Sequence, residues 1–485
     1  MGDGESDGEP VVRRERFAGG PARSFLSSME FDGRLFAADL AVDRAHVVML
    51  AERGVIEESD AAAILDALSD VEAAGFDALP AGEDVHEAVE TAVVERVGAA
   101  GGRMHTARSR NDEVATCLRY RYREDLLAAA EATLDARETL CDVAVAEAET
   151  AMPGYTHLQP AQPTTVGHWA LSYESALARD TERLRDAFAR TNRSPLGAAA
   201  FAGTTFDVDR ERTADLLGFD SVLENSMDAV SARDFLVEGS AAFAGLATTL
   251  AGLAEDVVVF ANRGFVELDD DYASTSSIMP QKKNPDTLEL VRSVAGDAHG
   301  GLQALLTTLK GLPRAYNRDL QNASPHAWRV AEAATEATEV ATGAVATAEW
   351  PADALSAAAG EGFSTATGVA DLLATRGVPF RTAHEVVATA AERGADYDAL
   401  AAACEDVLGE PLGTYVERGA VEAALDPVES VTARDSAGGP APDALATALE
   451  AARSRLDSDA AAVASRGDDL AAAAAALDAE VETYA

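Results

Sequence analysis

The chain has 485 residues, 47 % of them hydrophobic, and carries a net charge of −44 from 83 acidic and 39 basic side chains. That length exceeds what one hydrophobic core usually supports, so two or three domains are expected. A charge this negative repels nucleic acid and anionic membranes, and excludes both as natural partners.

Alanine dominates and aromatics are few, which favours helix over sheet. Met1–Pro10 is acidic and Gly-rich with no apolar run, so it reads as a frayed tail and not as a signal peptide. Helical patterns are predicted over 35–53, 59–74 and 84–98. The polar stretch Gly101–Glu113 follows, in which Arg108, Ser109, Arg110, Asn111 and Asp112 crowd before a long helix at 112–150. Arginine binds carboxylates bidentately and helix N-termini favour anions, so this reads as an anion cradle. Asn111 or Ser109 can equally serve as the helix cap, and the two roles are compatible.

Met152–Thr165 is the second polar stretch. Pro153, Pro160 and Pro163 exclude a regular helix there and stiffen a loop that carries Thr156, His157 and Gln159. Histidine is the side chain whose ordinary pKa permits acid–base work near neutrality, although a loop histidine can also be structural. Helices are then predicted at 165–191 and 226–262. Within the latter, Leu236, Gly239, Phe243, Leu246, Leu250, Leu253, Val257 and Phe260 alternate three- and four-residue steps, the seam of a heptad repeat. No charge falls between Glu238 and Glu255, so this helix is expected to be buried on every side of a bundle. It is short for a membrane span. Such burial needs more neighbours than one chain offers, which makes subunit association plausible.

The third stretch, Asp269–Asp286, holds Ser274, Thr275, Ser276 and Ser277, then Lys282, Lys283 and Asn284. Small hydroxyl residues favour a flexible loop, and Pro285 suits the first turn of a helix at 285–311. Lysine occurs elsewhere only at Lys310, so two adjacent lysines here suggest a needed ammonium. A solvated basic turn is the alternative. Leu312–Gln321 is the fourth stretch; a helix at 324–348 and shorter ones from 364 onward complete the chain. The three cysteines, Cys117, Cys141 and Cys404, form no CxxC and no even framework. Disulfides and zinc are therefore not expected, and a reducing cytoplasm is. The acidic, lysine-poor surface suits molar salt and a halophilic source. No Gly-rich nucleotide loop, metal-ligand cluster or cofactor fingerprint stands out. What remains is acid–base chemistry on a carboxylate-bearing substrate, with neither metal nor cofactor expected.

The run Ser276-Ser277-Ile278-Met279-Pro280-Gln281-Lys282-Lys283-Asn284-Pro285-Asp286 resembles the signature of the fumarase/aspartase superfamily. Its Gln-Lys-Lys-Asn form resembles the argininosuccinate lyase family within it. Ser28–Leu35, Thr106–Asp112, Gly154–Pro160, Ser194–Gly197, Tyr316–Gln321 and Gly377–His384 are similar to further conserved segments, in the same order. Two departures stand out: Thr275 replaces a glycine, and Ser324 stands where many members carry a lysine.

The resemblance implies an all-α, three-domain protomer divided near 1–110, 111–360 and 361–485. It further implies a twenty-helix core in a homotetramer, with each active site shared among subunits. It implies β-elimination of argininosuccinate to arginine and fumarate in arginine biosynthesis. Ser276 would be the base, aided by Lys282, with His157, oriented by Glu289, at the leaving nitrogen. Ser28, Asp32, Arg110, Asn111, Thr156, Asn284, Tyr316 and Gln321 would contact substrate. The rivals are adenylosuccinate lyase or fumarase activity, a non-catalytic crystallin-like protein on this scaffold, or a merely acidic helical scaffold.

Overall fold

The computed structural model of the chain describes residues 22–484; the tail expected at Met1–Pro10 lies outside the described residues. Phe36–Glu52, Glu58–Ala74 and Val85–Val97 form an N-terminal helical layer. Five long helices follow and pack against one another: Arg110–Ala146, Val166–Thr191, Asp234–Arg263, Asp286–Leu309 and Ser324–Ala346. Four shorter helices between Ala366 and Leu425 enclose a separate core around Leu373, Val386, Leu400 and Cys404. The three cysteines are buried and free.

The heptad seam is the axis of this arrangement. All eight seam residues from Leu236 to Phe260 are buried. A Cβ on Gly239 would meet the Tyr122 ring at 2.4 Å, so glycine lets the Arg110–Ala146 helix approach closely. Tyr122 sits edge-on to Phe235, Phe243 and Trp328, with ring centroids 5.6–6.1 Å apart. Its hydroxyl is satisfied by Ser240 at 3.3 Å. The Asp234–Arg263 helix is long and apolar enough to cross a membrane by length and composition alone, but half of its most apolar window is buried inside the chain. Burial on every side is not met within one chain: Ala241, Thr248 and Glu255 are exposed along one stripe.

Two expectations need correction. Met152–Thr165 is not an irregular loop: Ala151–Thr156 and Gln159–Thr165 pair antiparallel, joined through His157 and Leu158, both at φ 56°. Positive φ at both central residues matches the twist of a tight hairpin. The chain also does not end in short helices only. Pro442–Glu482 is one helix of 41 residues that returns along Arg110–Ala146 and Val166–Thr191. It buries few apolar residues for its length (Leu445, Ala452, Leu456, Val463 and Leu477), so its periodicity is weak in the sequence. Ion pairs help to hold it: its Asp459 meets buried Arg137 at 2.8 Å, and its Arg455 meets buried Glu174 at 3.5 Å.

Candidate active site

The cleft that gathers half of the expected residues lies at the start of the Arg110–Ala146 helix. Ser109 caps this helix, its Oγ accepting from Asn111 N (3.3 Å), while Asp112 Oδ1 accepts from Ser109 N (3.0 Å). This capping box satisfies donors left over at the helix end. The other Asp112 oxygen accepts from Gly197 N (3.0 Å) and Ala199 N (2.8 Å), fastening the segment after Ser194 against the helix. Asn111 Nδ2 donates to Ala200 O at 3.0 Å. Arg110 leans out to Asp84, 3.4 Å away.

Opposite, Ser28 Oγ donates to Asp32 Oδ2 at 2.7 Å, and Val85 N donates to the same oxygen at 3.2 Å. Burial raises the Asp32 pKa, and the Ser28 bond works against that rise. Gln321 Nε2 donates to Leu26 O at 3.2 Å. Ser28, Asp32, Arg110, Asn111, Tyr316 and Gln321 thus line one cleft enclosing about 820 Å³ of empty space, open solvent included. Ser324 and Pro325 line it too. His326 does not; its Nδ1 faces Arg329 at 2.9 Å.

The other six expected residues do not line this cleft. Thr156 and His157 are exposed at the tip of the hairpin. Ser276, Lys282 and Asn284 lie on a loop closed by pairing of Ser274 with Asn284 and Thr275 with Lys283. The loop folds back so that Ile278 N (3.3 Å) and Met279 N (3.1 Å) both donate to Ser276 Oγ. Two backbone donors aimed at one hydroxyl favour its anion. Lys283 is held by Asp270 at 2.7 Å, whereas Lys282 has no ion pair among the described residues. Glu289 is exposed in the first turn of Asp286–Leu309, and within one chain it does not meet His157.

Arg108, read from the sequence with the anion cradle, turns the other way. It is buried against Asp43 (2.5 Å) and Glu113 (2.9 Å), behind the cleft. Burial raises Glu113 to about 7, opposed by Arg108. Beside it, burial works against the charged form of His86, but its 2.5 Å contact with Asp39 holds its pKa well above the ordinary value. Among the described residues, Asp39–His86–Cys117 and Asp39–Asp43–Glu113 each place three potential metal-ligand atoms within 4.8 Å. Sequence reading did not anticipate these clusters, because their members are scattered over three helices.

Four further residues in the cleft were missed: Asp84, His86, Arg233 and Arg318. Arg233 had no readable signal: 226–262 reads as one helix, whereas the structure ends a short helix at Ser231 and starts the long one at Asp234, which places Arg233 at the N-cap beside Asp234.

A helical bundle with a mixed-charge cleft at one helix start, and a separate serine loop, fits a lyase that handles carboxylate substrates. The family described as Lyase matches residues 23–300, and that described as Argininosuccinate lyase C-terminal matches residues 363–432. Argininosuccinate lyase of Natronomonas pharaonis is 70 % identical over 482 residues, 99 % of this chain and 98 % of that protein. That of Halobacterium salinarum is 70 % identical over 480 residues, 98 % of this chain and 99 % of its own length. Among solved structures, EDDS lyase in complex with formate aligns with a TM-score of 0.86 at 33 % identity, covering 96 % of each chain. Class II fumarase from Schistosoma mansoni aligns at 0.70 and 16 % identity over 86 % of this chain and 96 % of that one, a likeness of fold alone. The chain belongs to the argininosuccinate lyase family and is a carbon–nitrogen lyase.

Proposed function

We propose that the chain cleaves argininosuccinate to arginine and fumarate, serving arginine biosynthesis in the cytoplasm of a halophile, as a homotetramer whose subunits share active sites. The convergence of Ser28, Asp32, Arg110, Asn111, Tyr316 and Gln321 on one cleft carries this reading, because these charges suit a substrate with carboxylates, an ammonium and a guanidinium. Loop and hairpin stand apart from the cleft within one chain, which supports completion of the site by other copies. The stripe through Ala241 and Thr248 offers a face for that association. The three-domain division near residues 110 and 360 belongs to the same reading.

Chemically, the hard step removes a weakly acidic proton from the carbon next to a carboxylate. Ser276 takes that proton, its anion favoured by the Ile278 and Met279 amides and by Lys282. Charge flows onto the carboxylate held by Lys282 and Asn284. The carbon–nitrogen bond then breaks, and its electron pair passes to the guanidinium nitrogen, which is already cationic. The proton needed to restore arginine comes from His157, oriented by Glu289 across the subunit boundary. Thr156 completes the carboxylate contacts, and closure of the loop excludes water. No step calls for a metal or cofactor.

The test is fumarate release, followed by ultraviolet absorbance in molar potassium chloride, with argininosuccinate, adenylosuccinate and malate in parallel. Turnover of argininosuccinate alone is expected. Turnover of another substrate in its place overturns the reading. Inactivity of the folded protein on all three favours a crystallin-like role.

A further inference from the structure

The hairpin that carries Thr156 and His157 is poorly held by its own strands. Pro153, Pro160 and Pro163 leave three positions without an N–H donor, and the register shifts between Pro153 and Tyr155. A two-stranded ribbon is marginally stable at best in water, even with a full ladder. Its tip nevertheless holds one pose, with His157 and Leu158 both at φ 56°. Contacts from outside the ribbon therefore fix it. The helices Ala352–Ala359 and Pro427–Thr432 pack against it, and one histidine bonds to it.

That residue is His168, in the first turn of Val166–Thr191. Its backbone N donates to Thr165 Oγ1 at 3.0 Å, an ordinary helix cap. Capping does not account for the ring. Nε2 lies 3.0 Å from Gly438 O, and Nδ1 lies 2.8 Å from Thr164 Oγ1. A carbonyl only accepts, so Nε2 carries the proton and Nδ1 accepts from the Thr164 hydroxyl. Thr164 belongs to the second strand of the hairpin. Gly438 belongs to the turn before Pro442–Glu482, closed by Gly439 N donating to Ser436 O at 2.8 Å. The ring thus joins strand, helix and C-terminal turn at one point. The next residue anchors that point to the bundle: Trp169 Nε1 donates to Asp256 Oδ2 of the seam helix at 3.0 Å.

We propose that His168 is a positioning residue for the lyase reaction, clamping the base of the hairpin so that its tip presents His157 to the leaving nitrogen. This rests on the role given to His157 above. His168 acts at a distance from the chemistry: Thr164 pairs with Met152 near the base, whereas His157 sits at the tip. A misplacement of about 1 Å at a reacting group can cost roughly 10²-fold in rate, so loosening the base is felt at the tip.

The test measures hydrogen exchange and turnover on the assembled protein in molar potassium chloride. His168→Phe keeps a ring and loses both of its hydrogen bonds. Amides between Ala151 and Thr165 should then exchange roughly tenfold faster, with the bundle helices unchanged. Turnover of argininosuccinate should fall roughly tenfold or more. In a His157→Ala background, whose residual turnover is followed at high enzyme concentration, most of that loss should vanish, because the two residues act as one unit. His168→Asn, whose amide overlays Nδ1 and keeps the Thr164 bond, should recover part of both effects. Unchanged exchange in His168→Phe overturns the proposal. So does wild-type turnover, or an equal loss in both backgrounds, which is the mark of a merely structural histidine. If His168→Phe fails to fold, Thr164→Val removes the same bond from the strand side and is read by the same criteria. Exchange needs no turnover, so inactivity of the wild type on argininosuccinate counts against the function, while the exchange result still decides the clamp.

Discussion

Asp112 couples the scaffold to the cleft, and Asp112→Ala exposes that coupling. The carboxylate accepts three backbone N–H groups, from Ser109, Gly197 and Ala199. Each buried donor left unmet costs about 1–3 kcal/mol, so the truncation loses roughly 6 kcal/mol. A gain offsets part of this. Burial, opposed by those same bonds, holds Asp112 at about 6 against 3.8 for a free aspartate. Keeping it ionised in the fold therefore costs about 3 kcal/mol, which alanine avoids. The net loss near neutrality is about 3 kcal/mol. Because the folded state binds this proton more tightly, the stability linked to it is complete below pH 3.8 and is lost as pH rises toward about 6. The gap between wild type and Asp112→Ala should thus be wider at pH 5 than at pH 7.5, by about 1 kcal/mol. Urea unfolding followed by circular dichroism, at fixed protein and salt concentration, measures both gaps. A gap below about 1 kcal/mol, or one that grows with pH, refutes the reasoning.

Other perturbations probe the remaining parts. Arg137→Met leaves the fully buried Glu174 with only the half-exposed Arg455, 3.5 Å away, and should cost about 3 kcal/mol in urea unfolding, while adding Glu174→Leu restores part of it. A Cβ on Gly154 would meet Gln162 O at 2.4 Å, so Gly154→Ala should shift the hairpin that carries His157. Turnover should fall while the urea midpoint of the bundle moves little. Ser276→Ala should reduce turnover by roughly 10³-fold or more with circular dichroism and assembly intact; near wild-type turnover reassigns the base.

The bundle helices were legible because their apolar residues repeat with helical period and their ends carry ordinary punctuation. Ser109 with Asp112 starts the longest bundle helix, and Gly264, at φ 73°, stops the seam helix. The Pro442–Glu482 helix was not legible as one unit: 16 of its 41 residues are alanine, so large apolar residues mark its buried face only sparsely, and ion pairs help to dock it. The hairpin was hidden because three prolines and Gly154 obscure the alternation that marks a strand. In the cleft, residues next to helix starts could be found from motif chemistry. Arg233 was not legible, because 226–262 reads as one helix and the break that puts it at an N-cap appears only in the structure. Arg108 looked like its neighbours Arg110 and Asn111, yet one step around the helix start sends it into the acidic core.

The central claim is that one chain supplies the binding cleft and another supplies the base. Two variants disable one half each: Arg110→Ala in the cleft and Ser276→Ala in the loop. Each alone should be nearly inactive. Unfolded together in equal amounts and reassembled, they should recover about a quarter of wild-type turnover, the fraction of sites that draw both intact halves from different copies. Activity no higher than that of either variant alone would contradict the claim and place both halves of the site within a single chain.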